Sequence, residues 1–296
     1  MRNAFIEELV VAAELHDNIA LVVGDLGYGV VEPFATRFPK RFFNAGVAEQ
    51  NMMGFSAGLA SEGFHVFVYS IANFPTFRCA EQIRNDVDYH NLPVTIVAVG
   101  GGLAYGNLGY SHHAIQDYAL MRVMPNMLIA APGDPMETRA CMTYLLNNPQ
   151  PSYLRLGKAG EPCLHSSIPV VVPGQWLRIN TTDNTACTIL TTGASLALAR
   201  KWIEQREQYA DYALHSMPLW GMRHKSNQTG EACKWDRVVV VEDHLVDGGF
   251  GSWMMEALSR QPDLLARIQL LGLDSAVCGM VGRQDSLNAA GGLRLE

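Results

Sequence analysis

Apolar residues in the first half of the chain fall in short, nearly unbroken runs. These are "IALVVGD" (residues 19–25), "HVFVYS" (65–70), "VTIVAVGG" (94–101) and "MLIAAP" (127–132). Runs of this length, rich in β-branched residues, suit strands covered on both faces, as in a parallel sheet. Between them the spacing turns helical, over residues 48–62, 77–89, 115–124 and 135–147. Asp134-Pro135 sets a capping acid and then a proline at the start of the last of these. Residues 158–184, with Pro162, Pro169 and Pro173, break both patterns and read as a linker and domain entry. The alternation then resumes. "ACTILTTG", "ADYALHSM", "RVVVVED" and "RIQLLGLD" read as strands, residues 195–208 and 251–260 as helices, and 220–234 fits neither. The pattern predicts an α/β protein of two doubly wound domains with mostly parallel sheets, residues 1–165 and 166–296.

In such folds ligands bind beyond the carboxyl ends of the strands. That edge collects the polar residues of interest: Asp25 after the first strand, Glu49 after a strand-like run ending at Asn44, and Asn73–Phe77. The Gly-rich loop "GGGLAYGNLGYSHHAIQD" and Gly133-Asp134 complete it. Glu49 poses the sharpest question, because an apolar helix follows it. Ionised acids are costly to bury unless paired. An acid in a helix's first turn also meets free amides and a favourable dipole. Local pattern leaves both readings open.

Composition narrows the classes. The 296 residues are 48% hydrophobic and 17% charged, as in ordinary globular proteins. A net charge of −7 without a basic cluster gives no footprint for nucleic acid or an acidic membrane surface. Six scattered cysteines form no Cys-x-x-Cys pair, so neither zinc nor a disulfide framework is expected. The opening "MRNAFIEELVVAAELHD" places acids where a secretory leader needs an apolar core. No run approaches the roughly 20 apolar residues of a membrane span. A cytoplasmic location is expected.

With these residues in place the chain resembles the transketolase family, over its pyrimidine-binding and C-terminal domains. The matching blocks are "GDLG", "NAGVAEQNMMGFSAGLA", "FPTFRCAEQIRNDV", "GYSHHAIQDYALMR" and "VVVVEDHLVDGGFGSWMMEAL", in colinear order. The resemblance implies thiamine diphosphate as cofactor and transfer of a two-carbon ketol or acyl unit. It implies that Glu49 is the catalytic acid reaching the aminopyrimidine ring, a role suited to a carboxyl group in an apolar pocket. Gln50 beside it holds geometry. Phe74 and Phe77 match the aromatic pair that cradles that ring, although two core phenylalanines would give the same spacing. Asp25 matches an acid near the cofactor, or else caps a turn. Leu26 supports the cofactor from below. His112 matches the histidine that contacts substrate oxygens, a task suited to a group titrating near neutrality, with His113 as second candidate. Asp117 reads as a helix-surface or capping group.

Three departures bear on the substrate. Leu108 stands where the family carries an acid, Gly100 where it carries a phosphate-binding histidine, and Gly29 where a serine is common. Arg155 and Lys158 remain as anion ligands, or as solvated charges at a strand end. The expected substrate is therefore a short donor, or an acceptor unlike the common pentose phosphates. Ala80 replaces a third aromatic of the cradle. The Gly-Asp-Gly and Asn-Asn signature that grips the diphosphate through a metal is missing, and Met1 precedes only one helix before the first strand. The implication is a split enzyme. No metal ligands are expected in this chain, and Mg2+ or Ca2+ belongs mainly to an N-terminal transketolase subunit, the two assembling as a heterotetramer. The alternatives are the beta subunit of a 2-oxo-acid dehydrogenase and a catalytically silent homologue.

Overall fold

The computed structural model describes residues 1–182 and 186–294. The predicted linker's last residues, Asp183 and Asn184, and the final two of the predicted second domain lie outside the described residues.

Twelve strands are found among the described residues. The first six are β1 (Ile19–Val23), β2 (Phe42–Asn44), β3 (His65–Ile71), β4 (Val94–Val99), β5 (Leu128–Ala130) and β6 (Ser152–Leu156). They are followed by β7 (Leu177–Arg178), β8 (Cys187–Thr191), β9 (Ala213–Ser216), β10 (Leu219–Trp220), β11 (Arg237–Leu245) and β12 (Ile268–Leu273). They build a seven-stranded sheet, β10-β5-β6-β4-β3-β1-β2, and a five-stranded sheet, β12-β11-β8-β9-β7. Each sheet is parallel except for one short strand, β10 in the first and β7 in the second. The α/β expectation holds, and the cause is visible in burial. Every residue of β1 and β4 is buried, so both sheet faces are covered.

Helix Arg2–Leu15 covers one face of the first sheet beside helix Pro135–Asn147. Helix Glu49–Ser61 covers the other through Met52, Met53, Ala57 and Ala60. Asp134 caps Pro135–Asn147 as anticipated, accepting from the Glu137 amide at 2.7 Å. Elsewhere the helices are shorter than the pattern suggested. Residues 77–89 break into three pieces, Asn73–Phe77, Ala80–Gln82 and a π-helical turn Ile83–Asp88. Residues 115–124 yield only Asp117–Met121. The predicted linker contains β7, and the unassigned region 220–234 holds a 3-10 turn Met222–Asn227 and helix Gln228–Ala232.

β1 lies between β2 and β3. The connections after β1 and β3 therefore leave in opposite directions and open a crevice above the carboxyl ends of the strands, where α/β sheets bind ligands.

Candidate active site

Two loops at this crevice are tied together by one side chain. The Asn44 carboxamide oxygen accepts from the amides of Asp25 and Gly46, each at 3.0 Å. Its Nδ2 donates to the Asp25 carboxylate at 3.0 Å, and the Tyr28 hydroxyl donates to the same oxygen at 2.9 Å. Those bonds, from Asn44 first and Tyr28 second, hold the exposed Asp25 carboxyl below the usual range. Asp25 also adopts φ +56°, the left-handed region that Asp and Asn tolerate best. It is a built turn facing the crevice, with Leu26 half-buried beside it.

Glu49 opens helix Glu49–Ser61 and is 5% exposed. It is not the lone acid in an apolar pocket that the resemblance implied. Arg78 Nη1 donates to its Oε1 at 2.5 Å. The same guanidinium lies 4.3 Å above the ring of Phe74. Phe74 and Phe77 sit on helix Asn73–Phe77 as predicted, Phe74 half-buried and Phe77 46% exposed. Glu49, Phe77 and Arg78 line one open pocket with Val47, Ala48, Gln50 and Asn51. Gln50 is exposed and lines the same pocket.

The Gly-rich loop is closed by a two-way bridge between Gly102 and Ala114, at 2.8 and 2.9 Å. This brings His112 back over the Phe74 ring, edge on, with centroids 5.1 Å apart. Asn73 fixes the approach by donating to the Ser111 carbonyl at 3.0 Å. Ser111 Oγ lies 3.0 Å from His112 Nδ1, which leaves Nε2 without that partner. Burial first, then His113 and Arg78, lowers the proton affinity of His112 below its ordinary value. His113 turns away into the protein, 1% exposed, with Nε2 3.4 Å from the Gly106 carbonyl. It does not join the group.

Arg155 requires correction. It is 3% exposed and held between Asp117 of the first half of the chain and Asp243 of the second. Its Nε donates to Asp117 at 2.7 Å, its Nη1 to Asp243 at 2.6 Å and its Nη2 to the Ala114 carbonyl at 2.7 Å. With its donors taken by two carboxylates, it is not an open anion ligand. Asp117 is corrected with it. It is fully buried, bonded to Arg155 and to the Tyr153 hydroxyl at 2.6 Å, and is not a surface group. Lys158 stays exposed, its ammonium 5.1 Å from the ring centroid of Tyr105.

The "VEDH…GGFGS" block proves architectural. Glu242 accepts from the amides of Phe250 and Gly251, at 2.6 and 2.9 Å, and so caps helix Phe250–Ala257, while Asp243 grips Arg155. Two of the departures acquire backbone reasons. Gly100 has φ +83°, and a Cβ there would lie 2.1 Å from Tyr105. Gly29 has φ +77° in open space. Leu108 is 51% exposed on the turn Gly106–Leu108.

Sequence reasoning missed Asn44, Tyr28 and Arg78, and placed Asn73 at this edge without giving it a task. Arg78 had a signal: it lies one helical turn after Phe74, on the element that faces Glu49. Among the described residues no group of three His, Cys, Asp or Glu is placed to hold a metal ion, and no helix is long and apolar enough to cross a membrane.

A buried acid, an aromatic wall and a histidine above the switch point of a parallel sheet, followed by a second parallel domain, define a two-domain α/β protein of the transketolase type. Residues 1–160 match the transketolase pyrimidine-binding domain, and the chain belongs to the transketolase family. It is 34% identical over 272 residues to a subunit of the apulose-4-phosphate transketolase of Phocaeicola vulgatus, covering 88% of this chain and 84% of that one. It is 31% identical to the 1-deoxy-D-xylulose-5-phosphate synthase of Aquifex aeolicus, over 99% of this chain and 46% of the synthase. Among solved structures, the inactive β4 tetramer of a split-gene transketolase superposes with a TM-score of 0.83 at 31% identity, covering 99% and 93% of the two chains.

Proposed function

We propose that this chain is the second subunit of a two-chain, thiamine diphosphate-dependent transketolase, which moves a two-carbon ketol unit from a keto donor to an aldehyde acceptor. The observation that carries this reading is the convergence of Glu49, Phe74, Phe77 and His112 on one crevice. The residues fit the pyrimidine end of the cofactor. A flat aminopyrimidine needs an aromatic face and a carboxyl group reaching a ring nitrogen, and the pocket offers both. Asn44 ties the Asp25 turn, with Leu26 beside it, to the Gly46 amide three residues before Glu49. When bound, thiamine diphosphate supplies the carbon nucleophile. Glu49 would hold the ring nitrogen through its carboxylate and share its proton, and the phenylalanines would offer the ring an aromatic face. His112 is held below its usual proton affinity and is therefore mostly neutral at pH 7. Its Nε2 accepts and returns a proton at the substrate oxygens.

The diphosphate and its Mg2+ or Ca2+ fall to an N-terminal subunit, and the active assembly is a heterotetramer. Two relatives support this. The P. vulgatus relative is by name one subunit of a transketolase, and the split-gene neighbour is an inactive tetramer of β chains. The former is also named for a phosphorylated sugar. Here Lys158 is the exposed cation of the predicted pair, while Gly29, Gly100 and Leu108 favour a short donor.

Calorimetry tests the reading. The chain alone should bind thiamine diphosphate weakly with magnesium present, and tight binding should appear when the N-terminal subunit is added. In that pair, Glu49→Gln should abolish turnover while a cooperative melting transition persists. Tight magnesium-dependent binding by this chain alone would sink the split-subunit reading, and an active Glu49→Gln pair would remove Glu49 from the chemistry.

A further inference from the structure

Arg78 occupies the place just assigned to the cofactor ring. Its Nη1 holds the Glu49 carboxylate at 2.5 Å while its guanidinium carbon sits 4.3 Å from the centroid of Phe74. A guanidinium is flat and delocalised, carries N–H donors in its plane and stacks on aromatic faces. An aminopyrimidine presents the same two features, a flat face and an in-plane edge of nitrogen groups. The two cannot use one carboxylate and one aromatic face at the same time.

The burial of the partners makes the contact asymmetric. Glu49 is buried, and removing the partner of a buried charge is costly. The Arg78 side chain is 49% exposed at the mouth of the pocket, so a rotation about its flexible stem carries the cation into water. The acid is buried, whereas half of the base already meets solvent.

We propose that Arg78 is a built-in surrogate for the cofactor's pyrimidine ring, seated between Glu49 and Phe74 in the free chain and displaced when the ring enters. This rests on the reading of Glu49 and Phe74 as the pyrimidine seat. Arg78 is thus a positioning residue: it keeps the acid paired until the cofactor arrives. Its presence lowers the cofactor's apparent affinity by the fraction of chains that are plugged. The surrogate also answers the burial question that Glu49 raised in the sequence, because the acid is never left without a partner.

The experiment uses the reconstituted pair stripped of cofactor, with thiamine diphosphate and magnesium added in a stopped-flow instrument that reads intrinsic fluorescence. Arg78→Ala should speed cofactor association by roughly three- to tenfold. Millimolar methylguanidinium should slow that variant back towards wild type and leave wild type unchanged, because only the variant has a vacant seat. Association by Arg78→Ala that is unchanged or slower, or insensitivity to methylguanidinium, overturns the proposal. A second measurement stands if that variant folds poorly. A thermal double-mutant cycle of Arg78→Lys and Glu49→Gln should show coupling without cofactor and lose it at saturation. Coupling that persists undiminished in the saturated pair also overturns the proposal. A wild-type pair that takes up no thiamine diphosphate defeats the functional reading and the surrogate together. Saturable uptake indifferent to Arg78 defeats the surrogate alone.

Discussion

At the scale of single residues, Glu49 and Arg155 show what a sequence can and cannot disclose. The position of Glu49 was legible because its signal is local: an acid at the head of an apolar helix, which the fold places and buries there. Arg155 was misread because the acids that hold it lie 38 and 88 positions away, and a strand's sequence does not say which carboxylates its end will meet. Arg78 was overlooked for a related reason. A charge is noticed in a sequence when its neighbours in the chain are unusual, whereas its partner here is 29 residues back. The Arg155 cluster yields a prediction. Truncation by Arg155→Ala leaves Asp117 and Asp243 buried without their cation, which costs about 3–5 kcal/mol. Urea unfolding of the full chain should show a midpoint shift of that size. A stable variant with altered substrate preference would return Arg155 to the substrate site.

At the scale of elements, strands were easier to read than helices. β1, β3 and β4 announce themselves as apolar runs because both of their faces are covered. The helical stretch over 77–89 looked continuous by period, but it breaks at Arg78–Cys79 and tightens into a π-turn from Ile83, so Phe74, Phe77 and Arg78 belong to a short separate helix and its cap. The Gly-rich loop was read by what it lacked, a phosphate-binding histidine at 100. The structure gives the loop its own logic, since Gly100 passes Tyr105 at φ +83° and Gly102 passes Asp243 at φ +63°. Gly100→His should therefore not create a phosphate site. It should destabilise the loop by about 1–3 kcal/mol through backbone strain, beyond the clash with Tyr105. The comparison is the thermal midpoint with and without inorganic phosphate. A variant of wild-type stability that gains a phosphate-dependent shift would contradict this account.

At the scale of the whole molecule, buried titratable groups set how stability follows pH. Burial pushes the imidazoles of His65, His215 and His244 down to about 4, from an ordinary 6.5. Between those values the unfolded chain binds more protons than the folded one, so these groups make stability rise with pH up to 6.5. Burial pushes Glu137 up to about 7 and Glu242 up to about 8. The folded chain keeps protons that the unfolded chain releases, so these acids make stability fall as pH rises from the ordinary carboxylate range to their folded values. Below 6.5 the two sets oppose each other, and above it the acids act without that opposition. Chemical unfolding across pH should give a maximum near 6.5 and a decline towards 8, with Glu242→Gln making the alkaline limb shallower. A flat profile from 6.5 to 8 would show that the two acids are ionised in the folded state.

β10 has a bearing on heredity. Its two residues come from the second half of the chain, yet they pair with β5 at the margin of the first sheet, and the Ala131 amide donates to the Pro218 carbonyl at 2.7 Å alongside. A gene fragment ending between the halves would encode a first sheet whose β5 margin is bare, open to pairing with any strand that passes. The same cut would strand Asp243 from the cation it neutralises. Each half therefore depends on the other, for a covered sheet margin on one side and for a neutralised ion cluster on the other. A crossover between them leaves the first sheet one strand short and Arg155 without one of its two carboxylates.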